Sequence, residues 1–199
     1  MNPVSGKKIC GRPLKIFLEE VEKFHGWKAP GIIIGGFMVD WGLELMGDRI
    51  EFDAIVETSH CLPDAVQIFT PCTIGNGWMK ILDWDKFAIS FYDRRTLAGV
   101  RIWLDPEKLK AFPSIYRWYM RLAPKQELPL EILVDAILAA GRSLPSANPM
   151  RITRFSERKK KGPTALCPDC GEAYPVSQGP QCLACQGQKY YAEPHPSPL

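Results

Sequence analysis

The stretch CPDCGEAYPVSQGPQCLAC, residues 167–185, contains two Cys-x-x-Cys pairs separated by 11 residues. Each pair turns tightly enough for both sulfurs to reach one metal ion at roughly 2.3 Å, and four thiolates complete a tetrahedron. The segment is too short to bury a core of its own, so metal binding has to supply its folding energy. The spacing therefore predicts a small ribbon-like module with one structural zinc ion per chain, held by Cys167, Cys170, Cys182 and Cys185.

The seven cysteines of the chain point to thiolates rather than to disulfides. Their number is odd, and the N-terminal residues MNPVSGKKICGRP contain no uninterrupted apolar run typical of a signal peptide. Without export, two Cys-x-x-Cys pairs favour a metal site over a disulfide framework, with redox-active or unpaired thiols as the alternative. No apolar run approaches the roughly 20 residues that span a bilayer. We therefore expect a cytoplasmic protein without a membrane segment.

The net charge of +3 is concentrated in one place. Residues 1–150 carry 18 basic and 18 acidic side chains, whereas RITRFSERKKK, residues 151–161, contains six of the seven basic residues in the remainder. After this stretch the only basic residue is Lys189, so the zinc module itself matches a phosphate backbone poorly. The pattern favours a solvated basic stretch, and nucleic-acid binding through residues 151–161 beside the module is the alternative.

The spacing of apolar residues predicts helices first, then strands, then helices. Helical periodicity covers residues 13–25 and 128–141, and a short helix is predicted at 63–70. A further helix is expected after Pro106, interrupted at Pro113. Strands are predicted at 51–60, 78–84, 86–93, 99–105 and 150–158. This order indicates the α+β class, with a mixed helix and antiparallel-sheet core domain and the small four-cysteine module at its C-terminal side.

Composition divides the chain into a core domain at 1–157, a basic linker at 158–163, and the zinc ribbon with its tail at 164–199. Within the core domain, residues 32–46 read as a helix that is apolar on nearly every side. Such a helix is hard to cover within one domain of this size. A partner subunit would bury its remaining surface, so we predict a homodimer.

Three segments together resemble one known family. They are FHGWKAPG at 24–31, CLPDAVQIFTPCTIGNG at 61–77, and the appended four-cysteine ribbon. These motifs, in this order, resemble the FmdE-like family, which takes its name from formylmethanofuran dehydrogenase. The resemblance implies an α+β core, an intertwined homodimer, and a cleft lined by histidine and cysteine that can hold a second metal. It also implies a metalloenzyme partner, a molybdenum or tungsten enzyme of one-carbon metabolism.

The resemblance carries His25, Cys61 and Cys72 as the candidate cleft residues. The family pattern has a histidine and a cysteine where this chain has Trp27 and Ala29, so two metal ligands are absent. Any second metal is therefore expected to bind weakly or to be completed by water and carboxylates.

The residues themselves leave several roles open. His25 lies near a helix end, where it could instead interact with the last carbonyls. Cys61 precedes a helix N-terminus, which favours a thiolate, although a buried apolar role is equally consistent. A helix between Cys61 and Cys72 would hold their sulfurs ~15 Å apart. An enzyme that uses Cys61 or Cys72 as nucleophile, with His25 or His60 as base, is the second hypothesis.

Overall fold

The computed structural model describes residues 8–47, 51–124, 127–153 and 162–191. The chain divides into two compact units, Met1–Arg154 and Phe155–Leu199. Most of the predicted basic linker and of the basic stretch at 151–161 lies outside the described residues. Among the described helices, none is long and apolar enough to cross a membrane.

The first unit begins with a short hairpin and two helices. The hairpin pairs β1 (Lys8–Ile9) with β2 (Arg12–Pro13), and α1 (Leu14–His25) follows directly. Gly26 ends α1 in the left-handed conformation, with φ of 90°, which glycine adopts without steric cost. Pro30 then opens α2 (Pro30–Met46), where a missing N–H is not needed.

The helix α2 is covered by its own chain. Twelve of its residues are buried in the single chain, against α3, α6 and the sheet. Its glycines permit this close packing, because a Cβ at Gly36 would lie 2.4 Å from the Phe17 ring and one at Gly42 would lie 2.7 Å from the Phe91 ring. The sequence argument that α2 needs a partner subunit was therefore wrong. The predicted homodimer now rests on the family resemblance alone.

A five-stranded sheet with the order β4-β3-β5-β6-β7 forms the other layer. Its strands are β3 (Phe52–Val56), β4 (Met79–Ile81), β5 (Ala88–Asp93), β6 (Ala98–Leu104) and β7 (Pro145–Arg151). All pairings are antiparallel except that of β3 with β4. These two strands are parallel because α3 (Leu62–Phe69) crosses between them, as a parallel connection requires.

The last strand lies earlier than the sequence predicted. The prediction placed it at 150–158, whereas β7 runs from Pro145 to Arg151 and pairs along all of β6. Pro145 and Pro149 argued against a strand here, but β7 is at the edge of the sheet, where a missing N–H is tolerated. The helices α4 (Pro106–Leu109), α5 (Pro113–Tyr119) and α6 (Leu130–Ala140) occupy the segment between β6 and β7.

The second unit contains the four cysteines. A hairpin pairs β8 (Thr164–Leu166) with β9 (Ala173–Pro175), and the first Cys-x-x-Cys pair forms its turn. The second pair leads into a helical turn at Ala184–Gln188 rather than into a second hairpin. Around the cysteines the buried cluster consists only of Cys167, Tyr174 and Cys182, among the described residues. So small a core cannot hold the unit folded by itself.

Candidate thiol–imidazole site and zinc module

Cys61 occupies a strained turn immediately before α3. Its backbone has φ 53° and ψ −48°, a conformation that non-glycine residues rarely adopt. The N–H of Leu62 donates to the carbonyl of His60 at 2.5 Å, so Cys61 is the central residue of a γ-turn. Backbone strain of this kind is maintained by the surrounding structure and is concentrated at functional sites.

The first turn of α2 contacts the Cys61 sulfur. A Cβ on Gly31 would lie 3.0 Å from Sγ of Cys61, so only glycine lets the thiol approach this closely without displacement. Burial, and then the negative charge of Asp64, raise the pKa of the Cys61 thiol above its ordinary value. A hydrogen bond from the backbone N–H of Ile32 acts in the opposite direction. The thiol is therefore protonated at neutral pH, while the N-terminus of α2 is placed to stabilise a thiolate once it forms.

His25 links the Cys61 thiol to a carboxylate. Its Nδ1 lies 2.7 Å from Oδ2 of Asp64, and its Nε2 lies 3.8 Å from Sγ of Cys61. Because an ionised carboxylate only accepts hydrogen bonds, Nδ1–H is the donor to Asp64 and the lone pair of Nε2 faces the thiol. His25 is the last residue of α1, and Asp64 lies in the first turn of α3. The contact between these helices thus assembles a thiol–imidazole–carboxylate chain.

Cys61 opens into a cleft of about 750 Å³ within the first unit. One side of the cleft belongs to the turn before α3, and the other to α5, the segment after it and the loop before β5. Besides Cys61, the lining residues are Gly31, Thr58, His60, Asp85, Phe87, Trp118, Tyr119, Met120, Arg121, Ala123, Pro124 and Leu128. Its volume lies in the range of small-molecule binding sites.

The structure brings His25 and Cys61 together but places Cys72 elsewhere. Cys72 is fully buried, and its thiol donates to the carbonyl of Phe52 at 3.5 Å. Burial raises the pKa of Cys72 to about 11. It follows the C-terminus of α3, whereas Cys61 precedes its N-terminus, so the helix separates the two sulfurs. Cys72 is not among the residues that line the cleft, and its environment is that of a core residue.

The remaining candidates also have defined positions. His60 is exposed and lines the cleft. Trp27 is half-exposed, with its ring centroid 6.4 Å from that of His25, and Ala29 is buried. Asp64, which the sequence indicated mainly as a first-turn helix residue, is the partner of His25. The available sequence signal was its position three residues after Cys61, which puts it one helical turn from the thiol.

The four C-terminal cysteines fit a single zinc ion. Their sulfur atoms all lie within 4.8 Å of one another. The Cys170 and Cys182 sulfurs are 3.8 Å apart, which matches the edge of a tetrahedron whose centre is roughly 2.3 Å from each corner. Hydrogen bonds from the backbone of Cys182 and Cys170 lower the pKa of Cys167 to about 6, as suits a thiolate ligand. Four sulfurs complete the coordination sphere, so this zinc site is structural.

The comparisons with known proteins agree with both units. Residues 24–154 match the family described as FmdE, molybdenum formylmethanofuran dehydrogenase operon. Residues 158–192 match the FmdE treble clef zinc finger, and the helical turn after the second Cys-x-x-Cys pair accords with that description. The two matches define a two-domain zinc-finger protein. The chain belongs to the FmdE family.

A solved structure and a curated protein extend the comparison. The crystal structure of a tungsten formylmethanofuran dehydrogenase FmdE-like protein from Syntrophus aciditrophicus is 41% identical, with a TM-score of 0.84, over 94% of this chain and 98% of that one. A probable S-adenosyl-L-methionine-binding protein of Archaeoglobus fulgidus is 33% identical over 107 residues. That match covers 49% of this chain, which spans only 29% of the relative's length.

Proposed function

We propose that the cleft is a thiol-dependent active site in which Cys61 is the nucleophile, His25 its general base and Asp64 the residue that orients the imidazole. The observation that carries the proposal is the continuous chain of contacts from Asp64 through His25 to Cys61, at 2.7 and 3.8 Å. A nucleophile within reach of a base, with that base held by a third group, is the arrangement expected for covalent catalysis.

The chemistry follows from the protonation states. As Cys61 attacks an electrophilic carbon, such as that of a carbonyl group, its proton moves from sulfur to Nε2 of His25. A sulfur–carbon bond forms, and the carbonyl electron pair moves onto oxygen. Asp64 stabilises the resulting imidazolium, because Nδ1–H already donates to its carboxylate. The backbone N–H of Ile32 stabilises the sulfur while it carries negative charge.

The family supplies the metabolic setting of the proposal. The family description names the molybdenum formylmethanofuran dehydrogenase operon, and the name of the Syntrophus protein refers to the tungsten enzyme. We place this protein as an accessory to that dehydrogenase or to related one-carbon metabolism, with a metalloenzyme partner. A formyl or other carbonyl compound is the substrate class that a cysteine nucleophile would accept.

A soft metal ion at Cys61 and His25 is the second candidate function. The separation of 3.8 Å between Sγ and Nε2 suits two corners of a tetrahedral site, and Asp64 would then orient the imidazole from the outer shell. Trp27 and Ala29 supply no further ligands. Within the described residues only the four C-terminal cysteines group as three or more ligands. A metal at Cys61 would therefore bind weakly.

Labelling of the individual cysteines tests the proposal and separates the two candidates. Zinc-loaded full-length protein is treated with iodoacetamide, and modification of each cysteine is followed by peptide mass spectrometry. We expect Cys61 to react faster than Cys10 and Cys72, because their burial raises the pKa of both thiols and neither is described beside an imidazole.

The same experiment is repeated with one added equivalent of Zn²⁺, and metal content is measured by elemental analysis. The thiol proposal predicts one zinc per chain and unchanged labelling of Cys61. The metal candidate instead predicts protection of Cys61 and a second bound metal. Labelling of Cys72 or Cys10 as fast as that of Cys61 would contradict the thiol proposal.

A further inference from the structure

The wall of the cleft opposite Cys61 is aromatic. Phe87 lies close to the thiol, because a Cβ on Gly31 would meet both the Cys61 sulfur at 3.0 Å and the Phe87 ring at 3.6 Å. The backbone of Phe87 hydrogen-bonds to the Tyr119 hydroxyl, which fixes the end of α5 against the loop before β5. The rings of Trp118 and Tyr119 are adjacent, with centroids 6.4 Å apart. Such surfaces favour a flat ring in the substrate.

Arg121 lines the same cleft, in a backbone conformation that disfavours arginine. The N–H of Leu122 donates to the carbonyl of Arg117, and the N–H of Arg121 donates to that of Trp118. These are the two hydrogen bonds of a Schellman motif, with Arg121 at its left-handed position, φ 54°. Glycine is the usual residue there. The conformation of α5 alone therefore does not account for an arginine at this position.

The guanidinium of Arg121 is available for a ligand. Arg94, Arg101, Arg117 and Arg142 each have a carboxylate partner. For Arg121 no ion pair is present within residues 8–47, 51–124 and 127–153. Asp85 also lines the cleft, but it forms no ion pair with Arg121 in this structure and is free to accept a hydrogen bond from a ligand N–H group. A planar guanidinium binds carboxylates and phosphates through two parallel hydrogen bonds.

We propose that Arg121 is the specificity-determining residue of the cleft, and that the ligand is a flat aromatic or heteroaromatic molecule with a carboxylate or phosphate group. The aromatic wall holds the ring, and Arg121 binds the anion. This assignment rests on the proposed function in so far as the ligand is a substrate of Cys61. Binding itself does not depend on reaction at that thiol.

The test measures equilibrium binding of three matched probes by isothermal titration calorimetry. They are 2-naphthoate, 2-naphthyl phosphate and the neutral 2-naphthamide, and the protein is the full-length zinc-loaded chain. We expect at least one anionic probe to bind roughly tenfold more tightly than the amide, as one charge-assisted contact allows. Comparison of the two anions shows whether carboxylate or phosphate is the preferred group.

The variant Arg121→Gly is the sharpest probe, because glycine suits the left-handed position and leaves the helix end intact. It should remove the preference for the anion and leave naphthamide binding unchanged. Arg121→Lys should restore only part of the preference. Arg117→Gln is the control, since it removes the same charge from α5 outside the cleft lining.

Three results would overturn the proposal: equal affinities for the anionic and neutral probes, an anion preference that survives in Arg121→Gly, or absence of binding by all three probes. Failure of the proposed function is recognised separately, because the reactivity of Cys61 towards neutral iodoacetamide does not require Arg121. Reactive Cys61 without anion selectivity would refute only the role of Arg121.

Discussion

Replacement of Cys170 by serine is expected to release the structural zinc and to unfold the chain after Pro163. Zinc binding to such modules supplies about 10–16 kcal/mol, and without it the second unit has a core of only three buried side chains among its described residues. The first unit should stay folded, because its core is independent of the cysteines at 167–185. Zinc content by elemental analysis and limited proteolysis of the C-terminal segment measure the effect.

The control for this variant is Cys10→Ser, which also removes a cysteine. The Cys10 thiol donates to the carbonyl of Gly36 in the first unit, a contact that a hydroxyl group can replace. Its zinc content and the protease resistance of the C-terminal segment should equal those of the wild type. A Cys170→Ser protein that retains a full equivalent of zinc and a protease-resistant tail would show that the site is assigned incorrectly.

Replacement of His25 by alanine is expected to slow alkylation of Cys61 at neutral pH by roughly 100-fold, the lower end of what general base catalysis contributes. The thiol is protonated at this pH because burial and Asp64 raise the pKa of Cys61. Without Nε2 at 3.8 Å, no base accepts the proton as the sulfur attacks. Rates at Cys61 are measured with iodoacetamide by peptide mass spectrometry.

His60→Ala is the matched control for His25→Ala. His60 lines the cleft and adjoins Cys61 in the chain, but the described hydrogen bonds show no contact between its ring and the Cys61 sulfur. Its loss should change the rate little. Asp64→Asn should give an intermediate loss, because an amide no longer fixes the tautomer of His25. If His60→Ala slows the reaction as much as His25→Ala, then His25 is not the base.

Local spacing allowed the zinc site to be predicted from the sequence. Both Cys-x-x-Cys pairs are tight turns, so their geometry depends on few residues outside the pairs. The helices α1 and α6 were similarly predictable from their apolar periodicity. By contrast, β7 was misplaced, because its prolines are tolerated only by virtue of its position at the sheet edge. That position is a property of the whole sheet.

The thiol–imidazole–carboxylate chain lay beyond what spacing can reveal. His25 and Asp64 are brought together by the packing of α1 against α3, and the sequence contains no local signal for that contact. The family resemblance selected His25 and Cys61, but it also selected Cys72, which α3 carries to its opposite end and into the core. Arg121 was not singled out, because its left-handed backbone and its place in the cleft depend on how α5 ends.

The pH dependence of Cys61 alkylation tests the central claim most directly. An unassisted thiol with a raised pKa reacts about tenfold faster per pH unit well into the alkaline range, because its thiolate fraction rises at that rate below the pKa. Base assistance by an imidazole adds a second limb that rises and levels off in the neutral range. We predict this neutral limb in the wild type and its loss in His25→Ala, with the alkaline rise retained in both. A single alkaline rise that is the same in the two proteins would contradict the account.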